Sequence, residues 1–174
     1  MGMTPRAGLM MGTRCGDLDP SVVNYLKYTL NITGHELDEI LNKKSGLLGI
    51  SGVSSDKRDV EEAAAAGNKR AQLASDMLNY QIKKTIGSYI AAMGGVDAIV
   101  FTGGIGEHSA VLRQRICAEL GWLGVDIDAP ANAADAPLIS TANSRVRVAV
   151  EPTNEEWVAA RDSIAVIGVG QEPV

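Results

Sequence analysis

Glycines after an apolar run are the first feature of the sequence that could do chemistry. Gly103, Gly104 and Gly106 follow the run Ala98–Phe101. Glycines in such a place let backbone N–H groups approach a phosphate, and the start of a following helix adds partial positive charge. A tight strand-to-helix turn explains the same residues equally well. Because ligands of α/β sheets usually bind beside strand ends, we favour a binding site.

An arginine between glycines is the second such feature. Arg14 stands between Gly12 and Gly16, and its planar guanidinium can bind a carboxylate or a phosphate through two hydrogen bonds. The alternative is a surface ion pair with Asp17 or Asp19. From these residues alone, we favour the ion pair.

Acidic residues also stand at two predicted helix starts. Asp56 and Arg58 could contact a ribose or an adenine, or could simply be capping charges. Near the C-terminus, Glu156 completes a predicted capping box with Thr153. Glu155 beside it could hold Mg²⁺, usually through water, although stabilisation of the helix dipole is the alternative that spacing alone favours.

The first half of the sequence predicts a loop followed by helices. Residues 1–18 form the loop, and Asp19 and Pro20 begin a first helix. The capping box of Thr33 and Glu36 opens a second helix, which Gly46 ends. The glycine-rich segment 47–55 predicts a linker, and a short helix after it is stopped by Gly67. A long helix over Lys69–Met93 carries an apolar stripe that we expect to be core, with these members: Leu73, Met77, Leu78, Ile82, Ile86, Tyr89, Ile90 and Met93.

The second half alternates strands with helices. The run Ala98–Phe101 predicts a strand buried on both faces, and segment 122–127 a second strand. Residues 130–137 predict a surface loop, and alternating valines over 146–150 predict a further strand before the final helix. This order indicates an α/β fold with a mostly parallel sheet covered by helices.

Composition limits the possible functions. A net charge of -5 argues against binding nucleic acid. The two cysteines, Cys15 and Cys117, lack the spacing of a zinc site or a disulfide framework. No apolar run approaches the roughly 20 residues of a membrane span. We therefore expect a cytoplasmic protein that binds neither nucleic acid nor membrane.

Taken together, the motifs resemble the acetate kinase family of the sugar-kinase/actin superfamily. The resemblance rests on these stretches: residues 1–5, Gly8–Pro20, Ser51–Asp56, Phe101–Glu107 and Pro152–Glu156. It implies a ribonuclease-H-like α/β domain that binds an adenine nucleotide. The family transfers a phosphoryl group from Mg-ATP to acetate, which gives acetyl phosphate and ADP.

The resemblance also implies roles for individual residues. Arg14 would be the transition-state arginine, and Glu155 would bind Mg²⁺. The nucleotide, ATP or ADP, would be contacted by these residues: Asp56, Lys57, Arg58, Gly104, Ile105, Gly106, Glu107 and His108. Lys57 occupies a variable position of the family, and His108 stands where an asparagine is common. A histidine can still donate a hydrogen bond there.

The resemblance covers the C-terminal half of the family sequence. It implies that residues 1–174 are a single C-terminal nucleotide-binding domain, that the N-terminal domain with the acetate site is absent, and that the isolated chain is inactive. A homodimer is expected, because the family dimerises through this half. Two alternatives stay open, a propionate or butyrate kinase fragment and a non-catalytic module for nucleotide binding or dimerisation.

Overall fold

The computed structural model describes residues 3–168. It separates the chain into two units, Met1–Val96 and Asp97–Val174, and each is described by itself below. The expected single C-terminal domain over residues 1–174 stays a prediction.

Within residues 3–96, five helices follow a loop. They are α1 (Pro20–Leu30), α2 (Gly34–Lys43), α3 (Gly46–Ser51), α4 (Lys57–Ala65) and α5 (Lys69–Met93). The predicted capping box of α2 is confirmed, because the Thr33 side chain accepts from Glu36 N and the Glu36 side chain accepts from Thr33 N. The predicted bounds of α5 are also confirmed, with Gly94 in the left-handed conformation at its C-terminus.

The predicted linker over residues 47–55 is wrong in its first half. Helix α2 already ends at Lys43, and Gly46 begins α3 instead of ending α2. Leu47 is only 1% exposed, so this segment is core and not connecting chain. Glycine content misled the prediction, because Gly46 with a φ of +62° serves a close backbone contact.

The predicted core stripe of α5 is confirmed only at Leu78 and Ile90. Leu73, Met77, Tyr89 and Met93 are exposed, and α5 instead buries a face whose members are Ala71, Ala74, Ser75, Leu78 and Ile90. This face packs against α3 and α4. The buried face includes the small side chains of Ala71, Ala74 and Ser75, which let the helix backbones approach closely. Several larger apolar side chains lie outside this face, so apolar periodicity alone did not identify it.

The second unit contains a two-stranded parallel sheet with helices. Its elements are β1 (Ala98–Phe101), α6 (Gly103–His108), α7 (Ala110–Ala118), a 3₁₀ turn (Gly121–Leu123), α8 (Ala129–Ala133), β2 (Arg147–Val150) and α9 (Glu155–Ile167). Strand β1 pairs with β2 from Ala98 opposite Arg147 to Phe101 opposite Val150. The predicted α/β class with a parallel sheet is thereby confirmed.

Three local predictions in this unit are wrong. Strand β1 is buried on one face, since Ile99 and Phe101 are buried whereas Val100 is 55% exposed. Segment 122–127 lies partly in the 3₁₀ turn and forms no strand beyond a single antiparallel bridge between Ile127 and Ser140. Segment 130–137 contains part of α8, so it is not all loop. The strand predicted over 146–150 is confirmed as β2, with Val148 and Val150 buried.

The start of α9 differs from the predicted capping box. The N-cap is Asn154, whose side chain accepts from Trp157 N at 2.9 Å. Thr153 bonds elsewhere, to Glu107.

Among the helices of residues 3–168, none has both the length and the apolar character to cross a bilayer.

Candidate functional site

The loop that carries Arg14 is held against the start of α3. Ser45 N donates to Thr13 O at 2.9 Å, and Leu48 N donates to Gly12 O at 2.9 Å. A Cβ at Gly46 would lie 2.8 Å from Arg14 O and would overlap the carbonyl oxygen of Met11. Only glycine fits at position 46, because any side chain there would collide with the backbone of the Arg14 loop.

The guanidinium of Arg14 lies beside its own loop. Its Nη1 donates to Pro5 O at 3.3 Å and lies 3.8 Å from the Met11 sulfur. The two aspartates considered as ion-pair partners each accept a hydrogen bond from a backbone N–H group. Asp17 accepts from Gly8 N at 2.8 Å, and Asp19 caps α1 by accepting from Ser21 N at 2.8 Å.

Asp56 and Arg58 form a charged pair at the start of α4. Asp56 is the N-cap and accepts from Arg58 N at 2.8 Å, and the guanidinium of Arg58 donates to both carboxylate oxygens at 3.1 and 2.6 Å. These bonds to Arg58 lower the pKa of Asp56 to about 2. The Arg14 loop approaches this start, since a Cβ at Gly12 would lie 2.7 Å from Ser55 O.

Lys57 has a different position from its two neighbours. It is 5% exposed, and its ammonium bonds to the carboxylate of Glu61 and to Ser75 Oγ at 3.3 Å. Its side chain thus lies between α4 and α5. This location contradicts the expected nucleotide contact for the Lys57 side chain, and sequence could not show that the position is buried.

The glycines after β1 begin helix α6 directly, without an intervening turn. Gly103 has a φ of +71°, which favours glycine, and a Cβ at Gly104 would meet no atom within 4 Å. Gly106 is buried, and its added Cβ would lie 3.3 Å from the Phe101 carbonyl carbon. Gly106 therefore allows α6 to pack on β1, whereas Gly104 faces open space and Ile105 is 41% exposed.

The parallel pairing brings α6 and the start of α9 to one edge of the sheet. Glu151 N donates to Phe101 O at 2.9 Å where the two strands end. Glu107 Oε1 accepts from Thr153 N and from Thr153 Oγ1, each at 3.0 Å. These bonds lower the pKa of Glu107, and the backbone N–H of Thr153 makes the largest contribution.

Two exposed side chains lie at this edge. His108 is mostly exposed, with Nε2 at 4.0 Å from Glu107 Oε2. Glu155 is the first residue of α9 and is also exposed. The structure thus brings Gly104–His108 and Glu155 to the same edge, because each follows one of two paired parallel strands.

A single carboxylate is a suitable but partial ligand for Mg²⁺. Residues 3–168 contain no group of three or more His, Cys, Asp or Glu side chains placed to hold a metal ion. Mg²⁺ keeps several waters and binds through one or two carboxylates plus substrate phosphates. Glu155 fits that donor set, with phosphate and water as the other ligands.

Sequence reasoning missed a buried polar cluster behind α6. Arg113 of α7 is fully buried and donates to the carbonyl oxygens of Gly106 and Glu107, and to Asn132 and Asp135. Asn132 and Asp135 fall in the segment predicted as a surface loop. No motif or spacing in the sequence marks the cluster, because its members are 6 to 22 positions apart.

Comparison with known proteins agrees with the architecture. The parallel strands with their helices define an α/β protein, and solved structures of kinases share its fold. A Porphyromonas gingivalis acetate kinase matches with a TM-score of 0.88 at 46% identity over 96% of this chain and 43% of that one. A Francisella tularensis propionate kinase matches with a TM-score of 0.86 at 41% identity over 93% and 42%. The predicted sugar-kinase/actin superfamily fold is confirmed.

Sequence comparison identifies the family. The profile of the Acetokinase family matches residues 1–161, and the chain belongs to that family. It is 52% identical to the acetate kinase of Halothermothrix orenii over 169 residues, which is 96% of this chain and 42% of that protein. The acetate kinase of Pseudothermotoga lettingae is also 52% identical, over 98% and 42%. The chain thus spans about two fifths of the length of these relatives.

Proposed function

We propose that this chain is the nucleotide-binding, C-terminal part of an acetate kinase. The observation that carries the proposal is the 52% identity to proteins named acetate kinase across nearly the whole chain. The reaction moves the γ-phosphoryl group of ATP to a carboxylate oxygen of acetate. A new O–P bond forms as the bond to the ADP oxygen breaks, so acetyl phosphate and ADP result, and the reverse reaction regenerates ATP.

Arg14 is proposed to act on the transferred phosphoryl group. A guanidinium can bind two phosphate oxygens at once, and phosphoryl transfer depends mainly on positioning and on neutralising charge. The close contact of the loop with Gly46 supports this role, because it restricts the backbone from which Arg14 projects.

The nucleotide is proposed to contact Asp56 and Arg58 and, separately, the segment Gly104–His108. The exposed Asp56–Arg58 pair offers hydrogen bonds to a ribose and a planar surface to an adenine. The open space at Gly104 lets the backbone approach a ligand. The Lys57 side chain lies outside this proposed contact, because it is buried between two helices.

Glu155 is proposed to hold Mg²⁺ together with water and nucleotide phosphate. When bound, Mg²⁺ neutralises phosphate charge during transfer. The tie between Glu107 and Thr153 supports this assignment, because it restricts the loop two residues before Glu155. The homodimer and the cytoplasmic location stay predictions.

A second candidate function is phosphoryl transfer to propionate. It is supported by the 41% identity to the propionate kinase of Francisella tularensis. The two relatives from H. orenii and P. lettingae are more similar in sequence, so acetate is the acceptor we favour.

The proposal is tested with the chain alone and with the chain joined to the part of the H. orenii acetate kinase that it does not cover. We expect acetyl phosphate from acetate and Mg-ATP only in the joined protein, and slower turnover of propionate. A folded joined protein without turnover of either acid would overturn the proposal. Faster turnover of propionate would favour the second candidate.

A further inference from the structure

Arg113 is a fully buried charge that bonds to several separate segments. Its Nη1 donates to Gly106 O at 2.8 Å and to Glu107 O at 2.7 Å. Its Nε and Nη2 donate to Asn132 Oδ1 and Asn132 O, each at 2.8 Å, and Nη2 also bonds to Asp135. A buried guanidinium is tolerated only when such partners replace water, so the positions of these partners are closely coupled to it.

The two carbonyl groups that Arg113 binds belong to the last turn of α6. Carbonyl groups at a helix end lack partners within the helix. Here, the guanidinium of Arg113 donates hydrogen bonds to these carbonyl groups. The Glu107 side chain, in the same turn, accepts hydrogen bonds from Thr153. The last turn of α6 is therefore fixed from two sides, while Gly104 stays open to solvent.

Asn132 and Asp135, the partners of Arg113 outside α6 and α7, have further structural features of their own. Asn132 Nδ2 donates to Ala110 O at 2.9 Å, which joins α8 to the first residue of α7. Asp135 has a φ of +50°, a conformation that aspartate and asparagine tolerate better than most residues. Its carboxylate is 43% exposed, so it can be changed without opening the core.

We propose that Arg113 is a positioning residue for the nucleotide site, acting through the carbonyl groups of Gly106 and Glu107. The inference rests on the proposed function, because it assigns Arg113 the task of setting where the backbone of Gly104–His108 meets the nucleotide. Arg113 itself does not touch the ligand. The charge of Asp135 holds the guanidinium in the orientation that makes these bonds.

The test is an NMR titration of the ¹⁵N-labelled 174-residue chain with Mg-ADP, using variants of the cluster. Asp135→Asn keeps the side-chain oxygen and the backbone conformation but removes the charge. Arg113→Lys keeps the charge but loses the planar fork. Arg115→Lys is the matched control, because Arg115 lies on the exposed side of the same helix.

We expect Asp135→Asn to raise the Kd about threefold or more, and Arg113→Lys to raise it about tenfold, as for residues that orient ligand-binding groups. The amide resonances of residues 104–108 should shift in the free variants, while those of 147–150 stay unchanged. A merely structural role would lower the unfolding temperature and leave the Kd of the folded chain unchanged. Arg115→Lys should match the wild type.

If Arg113→Lys does not fold, the Kd of Asp135→Asn for Mg-ADP tests the proposal by itself. Wild-type Kd values in the folded cluster variants would overturn this inference and leave the proposed function intact. A wild-type chain that shows no saturable binding of Mg-ADP would overturn both.

Discussion

Glu107 accepts two hydrogen bonds from Thr153 through a single carboxylate oxygen, each 3.0 Å long. The pair joins the last turn of α6 to the loop before α9, across 46 positions of sequence. Glu155, the proposed magnesium ligand, follows Thr153 by two residues. This contact therefore couples the position of Glu155 to that of α6.

Thr153→Val removes the hydroxyl donor and keeps the backbone donor. We expect the lowered pKa of Glu107 to rise partway toward its ordinary value of 4.5. In the wild type, the depressed pKa means that the two bonds stabilise the fold above pH 4.5 and that this contribution is lost as pH falls through the lowered value. A carboxyl ¹³C NMR titration measures the shift.

Thr141→Val is the control for this experiment, because the Thr141 hydroxyl bonds to Asp126. It should leave the titration of Glu107 unchanged. An identical Glu107 pKa in the wild type and in Thr153→Val would show that the hydroxyl contributes nothing.

Gly104→Val should abolish binding of Mg-ADP to the chain without unfolding it. An added Cβ meets no protein atom within 4 Å, so the side chain occupies only the space where we propose that the nucleotide lies. Gly121→Val is a matched control, since a Cβ there is equally free of contacts. Calorimetry that gives equal affinities for Gly104→Val and the wild type would remove Gly104 from the site.

Lys57→Ala should destabilise the chain by about 2 kcal/mol, because it removes the buried ammonium group that bonds to Glu61 and to Ser75. Lys43→Ala is the control, since Lys43 makes the same i,i+4 pair with a glutamate, Glu39, on the surface. Urea denaturation should show little change for this control. An equally small effect for Lys57→Ala would contradict the buried role.

Local signals in the sequence predicted some helix boundaries correctly, but not the end of α2 or the N-cap of α9. Asp19 and Pro20 start α1, and the long helix α5 ends at Gly94, because these effects act within one turn. Exposed side chains of α5 such as Leu73 and Met77 were predicted as core, because periodicity shows only which residues share a face. It cannot show which face packs against another helix.

The sequence predicted that Gly104 and Glu155 each follow a strand. The parallel pairing of β1 with β2, which the structure adds, brings the residues after both strands to one edge. The burial of Lys57 and the bonds of Arg113 depend on contacts between distant segments. No pattern of residue types reports those contacts.

The kcat of Arg14→Ala in the protein joined to the H. orenii segment tests the central claim most directly. We expect kcat to fall about 10³-fold or more with little change in the KM for ATP, because the guanidinium acts mainly on transition-state charge. Arg14→Lys should recover little, whereas Arg6→Ala, which removes a surface ion pair with Asp38, should leave turnover near normal. A near-normal kcat in Arg14→Ala would contradict the account.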